Sequence, residues 1–180
     1  FAAIMVPMRP WDVTEGLDYC RNGTTILEDA PELTGYLDAN RMGVGGHSGG
    51  GPYAVHAASG VKDVNAIVAQ HAASIPIMNR QPDKIMEDLQ GDLMVLCGTE
   101  DHMPFCGCTP GERDYYDRAP LGRVLVKVPD GHVDGACFEK GEENEAGYVT
   151  ALLYASLRQD ADAKVALAQG KEGDEITVDL

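Results

Sequence analysis

The chain has 180 residues, and 44% of them are hydrophobic, which is enough to build one core in a single domain. Its 29 acidic and 14 basic residues give a net charge of −15, which argues against nucleic acid and anionic membranes as partners, because affinity for both rests on Lys and Arg. No apolar run approaches the length of a membrane span, so no integral membrane segment is expected.

Strand-like and helix-like segments alternate along the chain, and this order indicates an α/β fold with a mostly parallel sheet and helices on both faces. Residues 1–6 are apolar throughout and predict a first, interior strand, which is followed by a loop that carries Trp11. Asp29 and Glu32 have the spacing of a capping box, and Pro31 is tolerated in a first turn, so a helix is predicted to begin there.

The remaining strands and helices are predicted in the same alternation. Strands are expected at residues 42–46, 64–69, 93–97 and 124–128. Helices are expected after the first of these strands, in part of the stretch 75–89, near residues 113–117 and over residues 144–158. The α/β domain therefore covers residues 1–158, and residues 159–180 are expected to form a charged, peripheral tail in which residues 176–178 can add an edge strand.

The segment with the most chemical information is Gly46-His47-Ser48-Gly49-Gly50, a G-x-S-x-G pattern between a predicted strand and a predicted helix. In this position the pattern is typical of a nucleophile elbow, a turn so tight that the serine is strained and its hydroxyl is exposed. Gly46 and Gly50 are expected to be required, because a side chain there would collide with the strand or the helix. Ser48 is the candidate nucleophile, and the Gly49 amide is the candidate oxyanion donor. The alternative is a glycine-rich turn whose serine has no role.

A serine hydroxyl needs a base, and the base needs an orienting acid. Asp101 follows the fourth predicted strand and His132 follows the fifth, so both lie at carboxyl ends of parallel strands, where functional loops are found. His132 is therefore the candidate base and Asp101 the candidate acid. Glu100 is the main rival for the acid, whereas Asp130 and Asp134 are weaker rivals because they flank the histidine itself.

Other side chains near these motifs are candidates for binding substrate. His47 is the variable residue inside the elbow, and His71 ends the third predicted strand, where it can line the cleft. Trp11 and Met103 lie on predicted loops after strands, and can form apolar walls of a cleft or take part in ordinary packing. His47, Trp11 and Met103 are the substrate-binding candidates. His102 adjoins the candidate acid and is expected at the surface.

Three motifs occur in a fixed order: Gly-Gly-His-Ser-Gly-Gly-Gly at residues 45–51, Gly-Thr-Glu-Asp at residues 98–101 and Asp-Gly-His at residues 130–132. Together, over about residues 1–158, they resemble the compact esterase branch of the α/β-hydrolases, which includes cutinase-like polyester hydrolases, dienelactone-hydrolase-like enzymes and chlorophyllases. The resemblance implies an α/β-hydrolase fold and a serine esterase without cofactor or metal. It implies a Ser48-His132-Asp101 triad that acts through an acyl-enzyme on a small-molecule or polymeric ester.

The sequence departs from that family in two respects. The family's second oxyanion donor lies on a loop after an earlier strand and has no counterpart here. We therefore expect this sequence to be part of a longer protein in which N-terminal strands of the same domain precede Phe1. Polyester-degrading members also favour particular aromatic residues beside the elbow, and His47 does not match them. Simple esters are therefore as well supported as polyesters.

The five cysteines allow several interpretations. The resemblance implies a disulfide between the loop of the acid and the loop of the histidine, which would join Cys137 to one of three residues: Cys97, Cys106 or Cys108. For Cys97, inside a predicted strand, a buried thiol is favoured instead. A metal site is an alternative, with His102, Cys106, Cys108 and Cys137 as ligands, but no C-x-x-C pair supports it. The Asn22-Gly-Thr glycosylation pattern, with a disulfide to Cys137, slightly favours secretion.

The sequence leaves the function open between three classes. Hydrolysis of a carboxylic ester is the leading hypothesis. A peptidase or an acyltransferase would use the same triad with a different acceptor. A domain that keeps the fold but serves as a binding or structural subunit is the third hypothesis, because the second oxyanion donor is missing.

Overall fold

The computed structural model describes residues 10–22, 28, 30–73, 82–106, 108, 110–120, 122–132 and 142–180. The strand predicted at residues 1–6 lies outside the described residues. The described part of the chain is an α/β structure with a central, mostly parallel sheet and helices on both of its faces.

The sheet has five strands: β1 Met42–His47, β2 Val64–Gln70, β3 Asp92–Gly98, β4 Arg123–Val128 and β5 Glu175–Asp179. Their order in the sheet is the order in the chain, so β1 and β5 are the edges of the described sheet. The first four strands run parallel, and β5 pairs antiparallel with β4. The predictions of strands at residues 42–46, 64–69, 93–97 and 124–128 are confirmed.

The described helices are α1 Pro10–Arg21, α2 Gly50–Ala58, α3 Pro82–Glu87, α4 Pro110–Arg118, α5 Glu142–Arg158 and α6 Ala161–Gln169. Helices α1 to α4 pack on one face of the sheet, and α5 and α6 pack on the other. No helix in this part of the chain is long and apolar enough to cross a membrane.

The two faces of the sheet build two separate cores. Strand β2 shows this directly, because Ile67 packs in the core under α1 to α4, whereas Val68 packs in the core under α5 and α6. A strand that is buried on both faces reads as a continuous apolar run, which is why the parallel strands could be predicted from sequence. Tyr115 is fully buried in the core on the first face, and Leu152 is fully buried in the core on the second.

Two of the described segments that precede β1 differ from the prediction. The helix expected from Asp29 onward is one 3₁₀ turn at Pro31–Leu33, preceded by Ala30, which has no side chain able to cap. None of its residues is buried, and Gly35 has a φ of 81°, which a helix cannot accommodate, so nothing extends the turn. The loop predicted around Trp11 is instead part of α1, because a stripe containing Leu17 packs that segment against the core as a helix.

The segment after residue 158 is less peripheral than expected. Asp160 caps α6, because its carboxylate accepts hydrogen bonds from the amides of Asp162 (2.9 Å) and Ala163 (3.1 Å). Leu167 is fully buried in the second core. The edge strand expected at residues 176–178 is confirmed as part of β5. The segment therefore completes one face and one edge of the same sheet.

Candidate active site

Four side chains lie together at the carboxyl-terminal edge of the sheet, where the parallel strands end. Each of them follows one of four neighbouring strands. Ser48 follows β1, His71 follows β2, Asp101 lies in the loop after β3, and His132 lies in the loop after β4. Because the carboxyl ends of parallel strands meet at the same edge, the sheet brings together residues that are far apart in the chain. This edge holds all three residues of the predicted triad.

The turn at Ser48 has the geometry expected of a nucleophile elbow. Ser48 has a φ of 54°, a left-handed conformation that is strained for a residue with a side chain. Its backbone is fixed on both sides: its amide donates to the Gln70 carbonyl (3.0 Å), and its carbonyl accepts from the amides of Gly51 (3.1 Å) and Ala73 (3.0 Å). The prediction of a strained serine between a strand and a helix is confirmed.

The glycines of the elbow have different roles from those predicted. A Cβ on Gly46 would lie 2.1 Å from the Gly50 carbonyl oxygen, so the prediction for Gly46 is confirmed. The prediction for Gly50 is wrong, because a Cβ there would meet nothing within 4 Å. The following residue is the constrained one, since a Cβ on Gly51 would lie 2.4 Å from the Cβ of Ala72. The helix start turns Gly50 outward and Gly51 toward β2.

Ser48, His132 and Asp101 form a continuous chain of hydrogen bonds. The Oγ of Ser48 lies 2.9 Å from Nε2 of His132, and Nδ1 of His132 lies 2.7 Å from Oδ2 of Asp101. The carboxylate accepts the Nδ1 proton, so Nε2 is left as the acceptor for the serine hydroxyl. The predicted contact distances are confirmed, whereas the catalytic roles stay a prediction.

The loop of the acid is tied to the loop of the histidine through the backbone. The amide of Thr99 donates to the carbonyl of Val128 (2.8 Å), and the amide of Glu100 donates to that of Asp130 (3.1 Å). These bonds continue the pairing of β3 with β4 beyond the strand ends. Asp101 and not its rival Glu100 reaches the histidine, because the Glu100 side chain is exposed to solvent.

Asp101 is held as a carboxylate by three donors. Burial by itself raises its pKa, but the hydrogen bonds from His132, from the Met103 amide (2.9 Å) and from His71 (3.1 Å) outweigh burial and lower it. Each of these bonds favours the charged form. The acid can therefore orient His132 and stabilise a positive charge on it.

The cluster contains two further residues, His71 and Glu145, whose contacts with the candidate triad were not predicted from sequence. His71, expected to line the cleft, is fully buried, with Nδ1 3.1 Å from Oδ2 of Asp101 and Nε2 3.0 Å from Oε1 of Glu145. Burial lowers the pKa of His71, but the hydrogen bonds and charges of Glu145 and Asp101 outweigh burial and raise it. Glu145 lies in the first turn of α5 beside Glu142 and Glu143, and nothing in the local sequence distinguishes it from these two acids.

His47 is partly buried and contacts His132, the candidate base. Its Nε2 donates to the backbone carbonyl of His132 (2.7 Å), and the two ring centroids are 4.8 Å apart. Burial, together with the charges of His132 and His71, lowers the pKa of His47. A neutral His47 with its proton on Nε2 fits this contact, so the structure places it as a support for the His132 loop.

The remaining sequence candidates lie around the cluster. Gly49 directly follows Ser48 and caps α2, so its amide lies at the positive end of that helix. Met103 is 50% exposed on the loop of the acid, and Phe105 on the same loop is 63% exposed. This loop therefore presents apolar surface beside Asp101. Trp11 lies in α1 rather than on a loop after a strand.

The cysteines pair differently from the expectation. Cys97 at the end of β3 forms a disulfide with Cys108, so the prediction of a buried thiol at Cys97 is wrong. The bond joins the two ends of the loop that carries Asp101. Cys137, the expected partner, lies outside the described residues. Because the sulfur of Cys108 is part of this disulfide, it has no thiolate to bind a metal. The alternative metal site of His102 and the cysteines therefore loses one of its ligands.

One group of side chains has the composition of a metal site. Ligand atoms of His71, Asp101 and His132 all lie within 4.8 Å of one another. The Nδ1 atoms of the two histidines also make hydrogen bonds to Oδ2 of Asp101.

Comparison of the sequence with protein-family models and with curated proteins finds no match. The interpretation of the site therefore depends on its own geometry. That geometry provides a strained hydroxyl, an imidazole with its acceptor nitrogen toward it, and a buried carboxylate behind the imidazole. These are the three groups that activate a serine for attack on an acyl carbon.

Proposed function

We propose that this chain is a serine hydrolase that cleaves carboxylic esters through an acyl-enzyme. The observation that carries the proposal is the hydrogen-bonded chain from Ser48 Oγ to His132 Nε2 (2.9 Å) and from His132 Nδ1 to Asp101 Oδ2 (2.7 Å). The left-handed conformation of Ser48 supports it, because such strain persists where the surrounding structure and the function require it.

The first half of the proposed reaction forms the acyl-enzyme. Ser48 Oγ attacks the ester carbonyl carbon while His132 Nε2 takes the hydroxyl proton. Asp101 stabilises the imidazolium that results, and the Gly49 amide donates to the oxyanion of the tetrahedral intermediate. The intermediate collapses as His132 returns the proton to the leaving alkoxide, which departs as the alcohol.

The second half releases the acid. Water attacks the acyl-enzyme carbonyl while His132 accepts one of its protons, and the proton then passes to Ser48 Oγ as the ester bond to serine breaks. The free Ser48 hydroxyl and its hydrogen bond to His132 are regenerated, and a carboxylic acid leaves. Each step moves a proton between His132 Nε2 and one oxygen atom, which belongs to Ser48, to the leaving alcohol or to water.

The sheet supports an assignment to the α/β-hydrolase fold. In that fold the nucleophile, the acid and the histidine follow one another along the chain, each after a strand of a parallel sheet. Here Ser48, Asp101 and His132 follow β1, β3 and β4 in the same order. The apolar surface of Met103 and Phe105 fits an ester whose acyl or alcohol part is apolar.

Ester hydrolysis by matched variants tests the proposal. The wild-type chain is expected to hydrolyse p-nitrophenyl esters with a burst of nitrophenol, and Ser48→Ala to lower kcat by about 10³-fold or more. Ser59→Ala, at the other end of α2, is the control and is expected to retain wild-type activity. Full activity in Ser48→Ala would contradict the proposal. Turnover of amides or acyl transfer to alcohols, with esters left intact, would move it to a peptidase or an acyltransferase.

A further inference from the structure

His71 is a buried histidine enclosed between two carboxylates. Its Nδ1 lies 3.1 Å from Asp101 Oδ2, and its Nε2 lies 3.0 Å from Glu145 Oε1. Its side chain is 0% exposed and that of Glu145 is 1% exposed. The second oxygen of Glu145 accepts a hydrogen bond from Gln70 Nε2, so this carboxylate is fixed as well.

The contacts determine where the protons lie. Asp101 Oδ2 faces the Nδ1 atoms of both His71 and His132, so each Nδ1 carries a proton and donates it. On the other side of its ring, His71 faces a carboxylate oxygen of Glu145, which also accepts. His71 with a proton on both nitrogens satisfies all of these contacts. The cluster is then an alternation of charges: Glu145 negative, His71 positive, Asp101 negative.

We propose that His71, held by Glu145, is a positioning residue that fixes the carboxylate of Asp101 and keeps a positive charge behind it while His132 acts as the base. This inference rests on the proposed function and extends it to a relay of five residues: Glu145, His71, Asp101, His132 and Ser48. His71 does not touch the reacting atoms. It acts by orienting Asp101 and by offsetting the negative charge near His132.

The surrounding structure is built to hold the ring of His71. A Cβ on Gly98 would collide with the backbone carbonyl of Asp130 and would also lie 2.8 Å from the Cε1 atom of His71, so the ring packs directly against the bare end of β3. The amide of His71 donates to the Leu96 carbonyl (2.7 Å), which anchors the residue to the same strand. His71 has a φ of 43°, so it holds a left-handed conformation as Ser48 does.

The charged and titratable groups around His71 come from four parts of the fold. They are Asp101 after β3, Glu145 in α5, His132 after β4 and His47 at the end of β1. The two carboxylates outweigh the two imidazoles, which agrees with the raised pKa of His71. The centroid of the His71 ring is 5.9 Å from that of His132, close enough for a charge on one ring to act on the other.

Two substitutions separate the position of the donor from the charge. In His71→Asn the amide nitrogen replaces Nδ1 and keeps the donor toward Asp101, whereas in His71→Gln it replaces Nε2 and keeps the donor toward Glu145. Both remove the positive charge. His71→Gln is expected to lower kcat by about 10- to 100-fold with little change in KM, and His71→Asn to lower it less.

The pH profile reports the charge. Without a positive charge at His71, protonation of the base is easier, so the acidic limb of kcat/KM is expected to move to higher pH in both variants. The control is His56→Gln, an exposed histidine of α2, whose pH profile is expected to match the wild type.

Nuclear magnetic resonance tests the contacts without relying on activity. The wild-type chain is expected to show two downfield imidazole protons, on the Nδ1 atoms of His71 and His132. His71→Gln is expected to remove the first and shift the second. If the wild type hydrolyses no ester, the proposed function fails, and this spectrum still decides whether His71 holds the carboxylate of Asp101.

Three results from the wild type and the His71 variants would overturn the inference. One is a folded His71→Gln chain with the kcat and acidic limb of the wild type. The second is an unshifted His132 proton in that variant. The third is a stoichiometric metal ion in the purified protein whose removal abolishes activity, because the shared atoms of the cluster would then be ligands. Should neither His71 variant fold, Glu145→Gln replaces one oxygen by nitrogen, and an unshifted acidic limb there would equally overturn it.

Discussion

The two glycines that flank Ser48 in the G-x-S-x-G pattern are not equivalent. Gly46→Ala is expected to lower the free energy of unfolding by about 3 kcal/mol or more, because its Cβ would lie 2.1 Å from a backbone oxygen. Gly50→Ala is expected to raise it by about 0.5–1 kcal/mol, because the site is open and alanine loses less backbone entropy in a helix. Urea denaturation of both variants measures the difference. Equal losses of stability in the two variants would contradict the conclusion that a Cβ collides with its surroundings at Gly46 but not at Gly50.

The charge at His71 gives the stability of the protein a defined dependence on pH. A folded-state pKa raised above 6.5 stabilises the fold fully below pH 6.5, and this contribution is lost as pH rises through the folded value. The lowered pKa of Asp101 acts in the opposite sense: its contribution is present above pH 3.8 and is lost as pH falls through the folded value.

Glu145→Gln should therefore lose its largest share of stability in mildly acidic solution. The variant removes the main partner that raises the pKa of His71, so its deficit relative to the wild type is expected to shrink as pH rises above 6.5. Urea denaturation of both proteins from about pH 5 to about pH 9 measures this. A deficit that grows with pH would show that the sign, and with it the charge on His71, is wrong.

At the scale of the elements, the disulfide between Cys97 and Cys108 closes the loop that carries Asp101. The two cysteines are 11 residues apart, and a closed loop of that length contributes about 3 kcal/mol to stability. Replacing both by serine is expected to lower the free energy of unfolding by that amount, as measured in urea. Cys20→Ser, at a half-buried cysteine of α1, is the control. A loss in Cys20→Ser as large as in the double variant would count against the loop as the cause.

The same loop connects stability to the candidate chemistry. In the double serine variant Asp101 keeps its hydrogen bonds but loses one of the constraints on its loop. A decrease in kcat with little change in KM is therefore expected. Treatment of the oxidised wild type with a reductant breaks the same disulfide without changing the sequence. It is expected to have the same effect on kcat.

The elements that were predicted correctly are those whose sequence pattern follows from burial. Strands β2, β3 and β4 are buried on both faces, so their apolar runs are continuous and visible. The helix expected at Asp29 had a capping pattern but no buried face, and local capping alone did not sustain it. Helix α6 was missed because its single fully buried side chain, Leu167, leaves too weak a pattern.

Within the site, position along the strands explains what sequence could and could not predict. Ser48, Asp101 and His132 each follow a recognisable strand, so their proximity follows from the order of the sheet. His71 also follows a strand, but its partner Glu145 lies 74 residues away on a helix that packs across the sheet. Such a contact has no local pattern, and only the packing of α5 reveals it.

At the scale of the whole molecule, the segment after residue 158 is expected to be needed for stability. Leu167→Ala should lower the free energy of unfolding by about 2–5 kcal/mol, because the side chain is fully buried in the core under α5 and α6. Val165→Ala, at a position 53% exposed on the same helix, is the matched control and should change stability little. Equal and small effects in both variants would mean that the segment is a peripheral tail after all.

The central claim is that the hydrogen-bonded His132 and Asp101 activate the hydroxyl of Ser48. Labelling of the folded protein with a fluorophosphonate, followed by mass analysis of its peptides, tests this most directly, because the probe reacts with an activated serine whatever the natural ester is. We expect a single adduct on Ser48, absent in Ser48→Ala and strongly reduced in His132→Ala. A folded chain that takes no label, or that keeps its label in Ser48→Ala, would contradict the account.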